Sequence, residues 1–103
     1  VKKVYKEFDE DGIVEYKVVF KSKSSIEFDM VGAWSEISIN PKKDKMPRFI
    51  YPKAICETVD EMFYDQTIVN VENDGIRYEF KFQSKDECVV RSNGDLVVFR
   101  KND

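Results

Sequence analysis

The chain has 103 residues, 42% of them apolar, with 17 basic and 20 acidic side chains and a net charge of −3. This length and apolar content suit one domain with its own core. The charges are interleaved rather than grouped in a basic stripe, so we do not expect nucleic acid as a partner. No apolar run is long enough to span a membrane. Histidine, the commonest general base and metal ligand, is absent.

The first forty residues alternate apolar and polar side chains, which is typical of β-strands. We predict strands over residues 2–9, 13–21, 25–30 and 34–39. Asp11-Gly12 and Val31-Gly32 would close the first and third hairpins, and a polar loop would close the second. An extra residue in the first hairpin predicts a bulge near Phe8, which leaves open whether Tyr5 or Phe8 points inward.

One segment has helical periodicity. Ile55, Val59, Met62 and Phe63 lie on one stripe, and Pro52 suits a first helical turn, where its missing N–H is not needed. We therefore predict a helix over residues 52–64, preceded by a polar connector.

Four further strands are predicted after the helix, over residues 67–73, 76–83, 87–92 and 95–100. Asp74-Gly75 and Asn93-Gly94 have the composition of two-residue hairpin turns, in which both central residues take positive φ. Such a turn at Asn93-Gly94 would place Arg91 opposite Leu96 and Val90 opposite Val97.

The second half of the chain repeats the first at an offset of 62 residues, which aligns Tyr16 with Tyr78, Phe20 with Phe82 and Gly32 with Gly94. A fixed offset across apolar positions and turn glycines indicates a duplicated unit. We predict an α+β fold, an antiparallel sheet of two four-stranded meander repeats with one helix (52–64) packed on one face. The single domain would span 1–103. Its repeats would be 1–40, with strands only and the first helix missing, and 48–103, with the helix and four strands.

Pairing across the strands divides the side chains between a helix-covered face and an open, mostly charged face. The covered face would contain Ile26, Phe28, Ser35, Ile37, Ile76, Tyr78, Phe80, Phe82, Cys88, Val90, Val97 and Phe99. An exposed Trp34 between carboxylates is a candidate anchor for a partner. The alternative is that Trp34 caps the sheet edge or packs under the connector. The candidate partner-binding residues on the open face are Trp34, Glu36, Asp29, Arg77, Arg91 and Leu96.

Four segments resemble the β-lactamase-inhibitor-like, PepSY-like family of small exported bacterial proteins: PKAICETVDEMF (52–63), GIVEYKVVF (12–20), GIRYEFKF (75–82) and IEFDMVGAWSEI (26–37). The resemblance covers nearly the whole chain and implies a helix followed by four strands, twice. It also implies export to the periplasm or cell surface, with the signal already removed, and a binding or inhibitory role through the open face. The helix of the first unit is missing, either because it was cut away or because the mature chain lacks it.

No motif for catalysis, a cofactor or a metal is present, and we predict that the protein is not an enzyme. The Asp9–Gly12 segment lacks the spaced ligands and the distal glutamate of a calcium loop. Cys56 and Cys88 lack the spacing of a zinc or redox site. Buried thiols and a disulfide across the core both remain open for them.

Two functional hypotheses follow. The first is a non-catalytic exported binding or inhibitor-like module that engages a protein or peptide through the open face. The second is a structural or accessory domain of a cell-envelope assembly with no ligand of its own. Without a first helix, Tyr16, Val18 and Phe20 would need cover from the single helix, the connector or another molecule, and a homodimer is one such arrangement.

Overall fold

A computed structural model describes residues 3–8, 12, 14–47 and 51–101 of the chain. Its elements are β1 (Lys3–Phe8), β2 (Val14–Val19), β3 (Ser25–Phe28), β4 (Trp34–Ser38), α1 (Lys53–Met62), β5 (Ile68–Asn73), β6 (Arg77–Phe82), β7 (Glu87–Arg91) and β8 (Leu96–Arg100). The eight strands form one antiparallel sheet in chain order. The predicted α+β fold is confirmed, and every predicted element lies within two residues of its observed bounds. The predicted Asp11-Gly12 turn lies partly outside the described residues.

The core lies between α1 and the inner face of β5–β8. Ile55 and Val59 are one helical turn apart on α1 and are both buried, and Phe63 follows at the helix end. The Phe63 ring lies 5.1 Å from that of Phe82. Burial of each of these large side chains contributes roughly 1.5–3 kcal/mol before conformational entropy is counted. Met62, predicted on the same stripe, is exposed, because the helix ends there and only one side of its last turn contacts the sheet.

Strand pairing repeats at the predicted offset of 62. Tyr16 pairs with Phe28 as Tyr78 pairs with Val90, and a bulge follows Glu27 as one follows Val89. This equality supports our proposal that the domain consists of two repeats, which we call the first unit (β1–β4) and the second unit (α1 and β5–β8).

The first hairpin departs from this offset. Val4 pairs with Val18, whereas Val71 pairs with Phe80, so the offset across β1 and β5 is 71 − 4 = 67. β1 and β2 pair continuously from Lys3 to Phe8. The predicted bulge near Phe8 is therefore not found within the described residues, which leave out residues 9–11 and 13. Phe8 and Val4 share the inner face, and Tyr5 lies on the open face.

The turns of the two units differ from the predicted two-residue type. In residues 29–33 the Asp29 N–H donates to the Ala33 carbonyl at 2.8 Å, and in residues 91–95 the Arg91 N–H donates to the Asp95 carbonyl at 2.8 Å. Only the glycine of each turn, Gly32 or Gly94, has positive φ. This is the longer hairpin loop in which a left-handed glycine is followed by a bulge.

The longer loop changes which side chains face the helix. Trp34 lies opposite Phe28, and Leu96 lies opposite Val90. The prediction that Trp34 and Leu96 lie on the open face is therefore wrong, since both pack against the core. Ser35 and Val97, predicted on the covered face, are the extra residues of the two bulges. Ile76, also predicted there, is exposed because β6 begins after it.

The Asn93-Gly94 turn packs closely on the helix. A β-carbon added to Gly94 would lie 2.9 Å from the Ala54 carbonyl oxygen, which is too close for a real contact. The Thr58 hydroxyl lies within hydrogen-bonding distance of the carbonyl oxygens of both Ala54 and Gly94. The glycine is thus needed both for its φ of 97° and for the space that α1 occupies.

We predict that Gly94→Ala destabilises the fold more than Gly75→Ala does. Both substitutions place a side chain at positive φ, at a cost of roughly 1–2 kcal/mol, but only Gly94 also faces a backbone clash, whereas Gly75 faces open space. The clash adds about 1–3 kcal/mol. Urea unfolding of both variants measures the difference, and equal losses would show that the turn does not press on α1.

Candidate functional site

The open face carries a row of four glutamates on four neighbouring strands. Glu27 pairs with Glu36, Glu36 with Glu72 and Glu72 with Glu79, so the side chains lie directly opposite one another from β3 to β6. Glu36, Glu72 and Glu79 each lie next to a buried apolar neighbour in the strand, and Glu27 lies between the half-buried Ile26 and Phe28. Strand alternation therefore turns all four carboxylates to the other face. We call Glu27, Glu36, Glu72 and Glu79 the glutamate row.

Like charges in directly opposite positions repel each other, because their β-carbons are only about 4.5–5.5 Å apart. Basic side chains flank the row without fully neutralising it. Lys17 lies 3.9 Å from Glu27, and Lys81 lies 3.9 Å from Glu72. Arg100 lies 3.9 Å from Glu79. Partly exposed pairs at these distances contribute about 0–1 kcal/mol each.

Glu36 occupies the middle of the row and has a different partner. The Asn70 side-chain amide donates to its carboxylate at 2.8 Å and to the Ser38 hydroxyl at 2.6 Å. This hydrogen bond fixes the position of the Glu36 carboxylate without neutralising its charge.

Partial burial raises the pKa of Glu72, and the charge of Glu36 raises it further. The positive charge of Lys81 offsets part of this rise, while the charges of Glu79 and Glu87 add to it. Glu72 therefore holds its proton more strongly than an isolated glutamate does.

The row borders a depression of about 600 Å³ on the open face. Its other lining residues include Glu15, Ser35, Asn73, Asp74, Arg77, Val89 and Arg100. Among the described residues, no group of three or more carboxylate, cysteine or histidine side chains is arranged to hold a metal ion. The depression offers a charged contact surface.

The structure divides the six predicted site residues into three groups. Glu36 lies in the glutamate row. Arg77 on β6 and Arg91 on β7 lie opposite each other in the strand register, beside the glutamate row. Asp29 belongs to a turn, where its carboxylate accepts hydrogen bonds from the N–H groups of Val31 and Ala33 at 3.0 Å. Trp34 and Leu96 lie on the opposite face, with the Trp34 ring 6.0 Å from that of Tyr78.

Sequence reasoning missed the row as a unit. Glu27, Glu36 and Glu79 each follow from strand alternation. Their alignment with Glu72 depends on the β4–β5 register, which is set by the packing of α1 and the connector and not by a short turn. No local signal in the sequence specifies that register.

The cysteines supply no nucleophile to this surface. Cys88 is buried in the core, and burial raises its pKa to about 12, so its thiol stays protonated at neutral pH. Cys56 lies half-buried on α1, and the two cysteines are not joined in a disulfide. No helix within the described ranges is long and apolar enough to cross a membrane.

A known family matches most of the chain. The family described as "Putative beta-lactamase-inhibitor-like, PepSY-like" matches residues 14–98. The chain belongs to this family. The resemblance in the four sequence segments is thereby confirmed. No curated protein matches the chain.

Solved structures of Bacteroides proteins are similar over most of the chain. A "putative periplasmic protein" of the DUF2874 family from Bacteroides vulgatus is 26% identical, with a TM-score of 0.79 and coverage of 95% of this chain and 75% of that one. A "putative calcium-regulated periplasmic protein" from Bacteroides thetaiotaomicron is also 26% identical, with a TM-score of 0.82 and the same coverage. A "putative periplasmic protein of unknown function" from Bacteroides vulgatus, 20% identical with a TM-score of 0.82 and coverage of 95% and 76%, shows the shared fold alone.

These comparisons confirm the predicted location. The PepSY-like family is exported, and the structural neighbours are described as periplasmic. The chain is a protein of the periplasm or cell surface.

We predict that Glu72→Gln stabilises the fold at pH 7 by roughly 0.5–1 kcal/mol, because it removes repulsion within the glutamate row. The folded-state pKa of Glu72 lies above its ordinary value of 4.5, so its contribution to stability is fully present below that value and is lost as pH rises through the folded-state pKa. The gain from Glu72→Gln should therefore vanish at about pH 3.5, where the carboxyl is already protonated.

Urea unfolding at the two pH values measures this effect. Glu57→Gln on the exposed side of α1 is the matched control, since Glu57 lies outside the glutamate row and has Lys53 at 3.9 Å on one side and Glu61 one turn away on the other, whose opposite effects are of similar size. The control should gain nothing at pH 7. An equal gain for Glu72→Gln at both pH values would contradict the electrostatic explanation.

Proposed function

We propose that this chain is a non-catalytic exported binding module that engages a basic protein or peptide segment through the open face. The glutamate row is the observation that carries the proposal. Three directly opposed glutamate pairs each cost a few tenths to about 1 kcal/mol of stability. A fold that retains such a row gains when a partner supplies the missing positive charge.

The arrangement around the row favours a polypeptide over a small ion. The carboxylates are spaced across four strands, which are about 4.8 Å apart, so the row extends over a length that several lysine or arginine side chains can reach. Long basic side chains also cover the apolar atoms beside the carboxylates with their methylene groups.

The six predicted site residues have distinct roles in this proposal. Glu36 would contact the partner directly. Arg77 and Arg91 would repel basic residues at one side of the row and so fix the orientation of the partner. Asp29 would hold the neighbouring turn. Trp34 and Leu96 would support the face from the core rather than contact the partner.

A structural or accessory role in a cell-envelope assembly is the second candidate. The observation in its favour is that Trp34, the only tryptophan, packs against the core and is not an exposed anchor. In that case the open face would have no ligand of its own, and binding would not depend on the glutamate row.

A labelled extended peptide of alternating lysine and threonine is a suitable probe, with binding measured by fluorescence anisotropy at low salt. We predict that the double variant Glu36→Gln/Glu72→Gln binds this peptide about tenfold more weakly, a loss of about 1.4 kcal/mol. The double variant Glu57→Gln/Glu61→Gln changes the net charge equally but lies on the exposed side of α1, and it should bind nearly as the natural protein does.

Equal weakening of both double variants would show that the peptide responds to net charge alone, and the proposal would be wrong. An absence of saturable binding would favour the accessory role. Added calcium provides a further comparison, because the similar structure from Bacteroides thetaiotaomicron is described as a "putative calcium-regulated periplasmic protein". We expect calcium to compete only as a screening ion.

A further inference from the structure

The two units have equivalent turns whose exposed tips differ in chemistry. In the first unit the tip is Met30-Val31, and the two side chains are 62% and 82% exposed. At the aligned positions of the second unit, 62 residues later, the tip is Ser92-Asn93, and both residues are exposed as well. We call Met30-Val31 the apolar tip and Ser92-Asn93 the polar tip.

The exposure of the apolar tip does not depend on what covers the inner face of β1–β4. In the second unit α1 lies against Gly94, and the polar tip remains exposed beside it. The two turns have the same backbone hydrogen bonds. A helix placed over Gly32 in the same way would therefore leave the apolar tip exposed too.

The residues of the apolar tip do not suit a turn. Turns favour Gly, Asn, Asp and Ser, whose conformational freedom or short polar side chains fit the bend, whereas β-branched residues such as Val31 suit strands. An exposed apolar side chain also gains nothing from the hydrophobic effect until another molecule covers it. The first unit therefore has two unfavourable turn residues where the second unit has two favourable ones.

The turn that carries the apolar tip is held in one conformation. The carboxylate of Asp29 accepts hydrogen bonds from the N–H groups of Val31 and Ala33, each at 3.0 Å. The Gly32 N–H donates to the Asp29 carbonyl at 3.1 Å. A loop fixed in this way loses little conformational entropy when it binds, which favours rigid insertion into a partner.

We propose that the apolar tip inserts into a concave apolar pocket of a folded partner protein, and that basic side chains line the rim of that pocket. The apolar part of the pocket covers Met30 and Val31. The tip lies at the end of the sheet and not on the open face, so the inference does not depend on the glutamate row.

The charge of the rim follows from the carboxylates beside the tip. Asp29 lies in the same turn, and Asp74 lies in the neighbouring turn, which is joined to β4 by the hydrogen bond from the Asn73 amide to the Trp34 carbonyl at 3.1 Å. The backbone N–H of Arg77 donates to Asp74 at 2.7 Å and lowers its pKa, so this carboxylate is charged at neutral pH. The side chain of Arg77 supplies one positive charge against these two negative charges.

A membrane and a second copy of this chain fit the apolar tip less well. Anionic lipids repel the carboxylates beside it. Two side chains also bury far less apolar surface than one acyl chain, which by itself binds a membrane only marginally. Insertion of one copy's tip into another copy would be a head-to-tail contact, which extends into a filament unless its rotation closes a ring.

The sharpest variant is Met30→Ser/Val31→Asn, which gives the first turn the sequence of the polar tip without changing the net charge. Because these residues suit the turn, its urea midpoint should equal or exceed that of the natural protein. The matched control is Ser92→Met/Asn93→Val, which creates the apolar pair on the other turn.

A photoreactive phenylalanine analogue at Val31 identifies the partner in cells that export the protein, with the same analogue at Asn93 as the control. We expect a discrete crosslinked protein from Val31 and none from Asn93. The purified partner is then titrated by fluorescence anisotropy. Met30→Ser/Val31→Asn should bind it about a hundredfold more weakly, and Ser92→Met/Asn93→Val should bind it as the natural protein does.

Asp74→Asn tests the basic rim separately. The Asn side-chain oxygen accepts the same backbone hydrogen bonds, so the turn is retained. Loss of the charge should weaken binding of the purified partner about threefold and reduce its dependence on salt. Unchanged affinity and salt dependence would show that the rim is not basic.

Five outcomes would overturn the inference. Met30→Ser/Val31→Asn could lower the urea midpoint, which would give the tip a structural role. Crosslinking could be absent or equal from Val31 and Asn93. The crosslinked product could be a second copy of this chain. The purified partner could bind Met30→Ser/Val31→Asn as tightly as the natural protein. Vesicles of phosphatidylglycerol and phosphatidylethanolamine could bind the natural protein and not this variant, which would assign the tip to a membrane.

Discussion

The turns at residues 29–33 and 91–95 each contain one glycine with positive φ, followed by a bulge in the next strand. Relative to a two-residue turn, this loop shifts by one position only the first residue of β4 and of β8, and the bulge then restores the pairing of Glu27 with Glu36 and of Val89 with Val98. Because side chains alternate between the two faces of a strand, a shift of one position exchanges the faces. The side chains of Trp34 and Leu96 therefore lie on the inner face, against the core.

The same register separates two surfaces of opposite character. Apolar side chains collect on the inner face, where α1 buries those of β5–β8. Carboxylates collect on the outer face, where Glu36 and Glu72 stand directly opposite each other. The first surface stabilises the fold, while the second carries a repulsion that the fold tolerates.

Much of the fold could be predicted from the sequence because its signals are local. Alternation from Ile76 to Phe82 and the helical stripe of Ile55 and Val59 are strong periodic patterns, and the 62-residue offset linked them into one plan. The bulge turns could not be predicted in this way, since Asn93-Gly94 is compatible with two turn types that differ by one residue in register. The packing of Gly94 on Ala54 favours the longer turn, and that contact is tertiary.

The candidate site was predictable only in part. Glu36, Arg77 and Arg91 were placed on the open face by alternation, whereas Trp34 was misplaced by the turn register. The glutamate row required knowledge of how β4 pairs with β5 across the connector and α1, which separate the strands by 29 residues, 39–67. Long-range register of this kind is determined by packing and not by the composition of any turn.

The position of Trp34 tests the register most directly. A nuclear Overhauser measurement on the folded protein reports which protons lie near the indole ring. The bulged register predicts strong effects between the rings of Trp34 and Tyr78, whose centroids are 6.0 Å apart. Strong effects from Trp34 to the side chains of Glu27 and Glu72, with none to Tyr78, would place the indole on the open face and contradict the register.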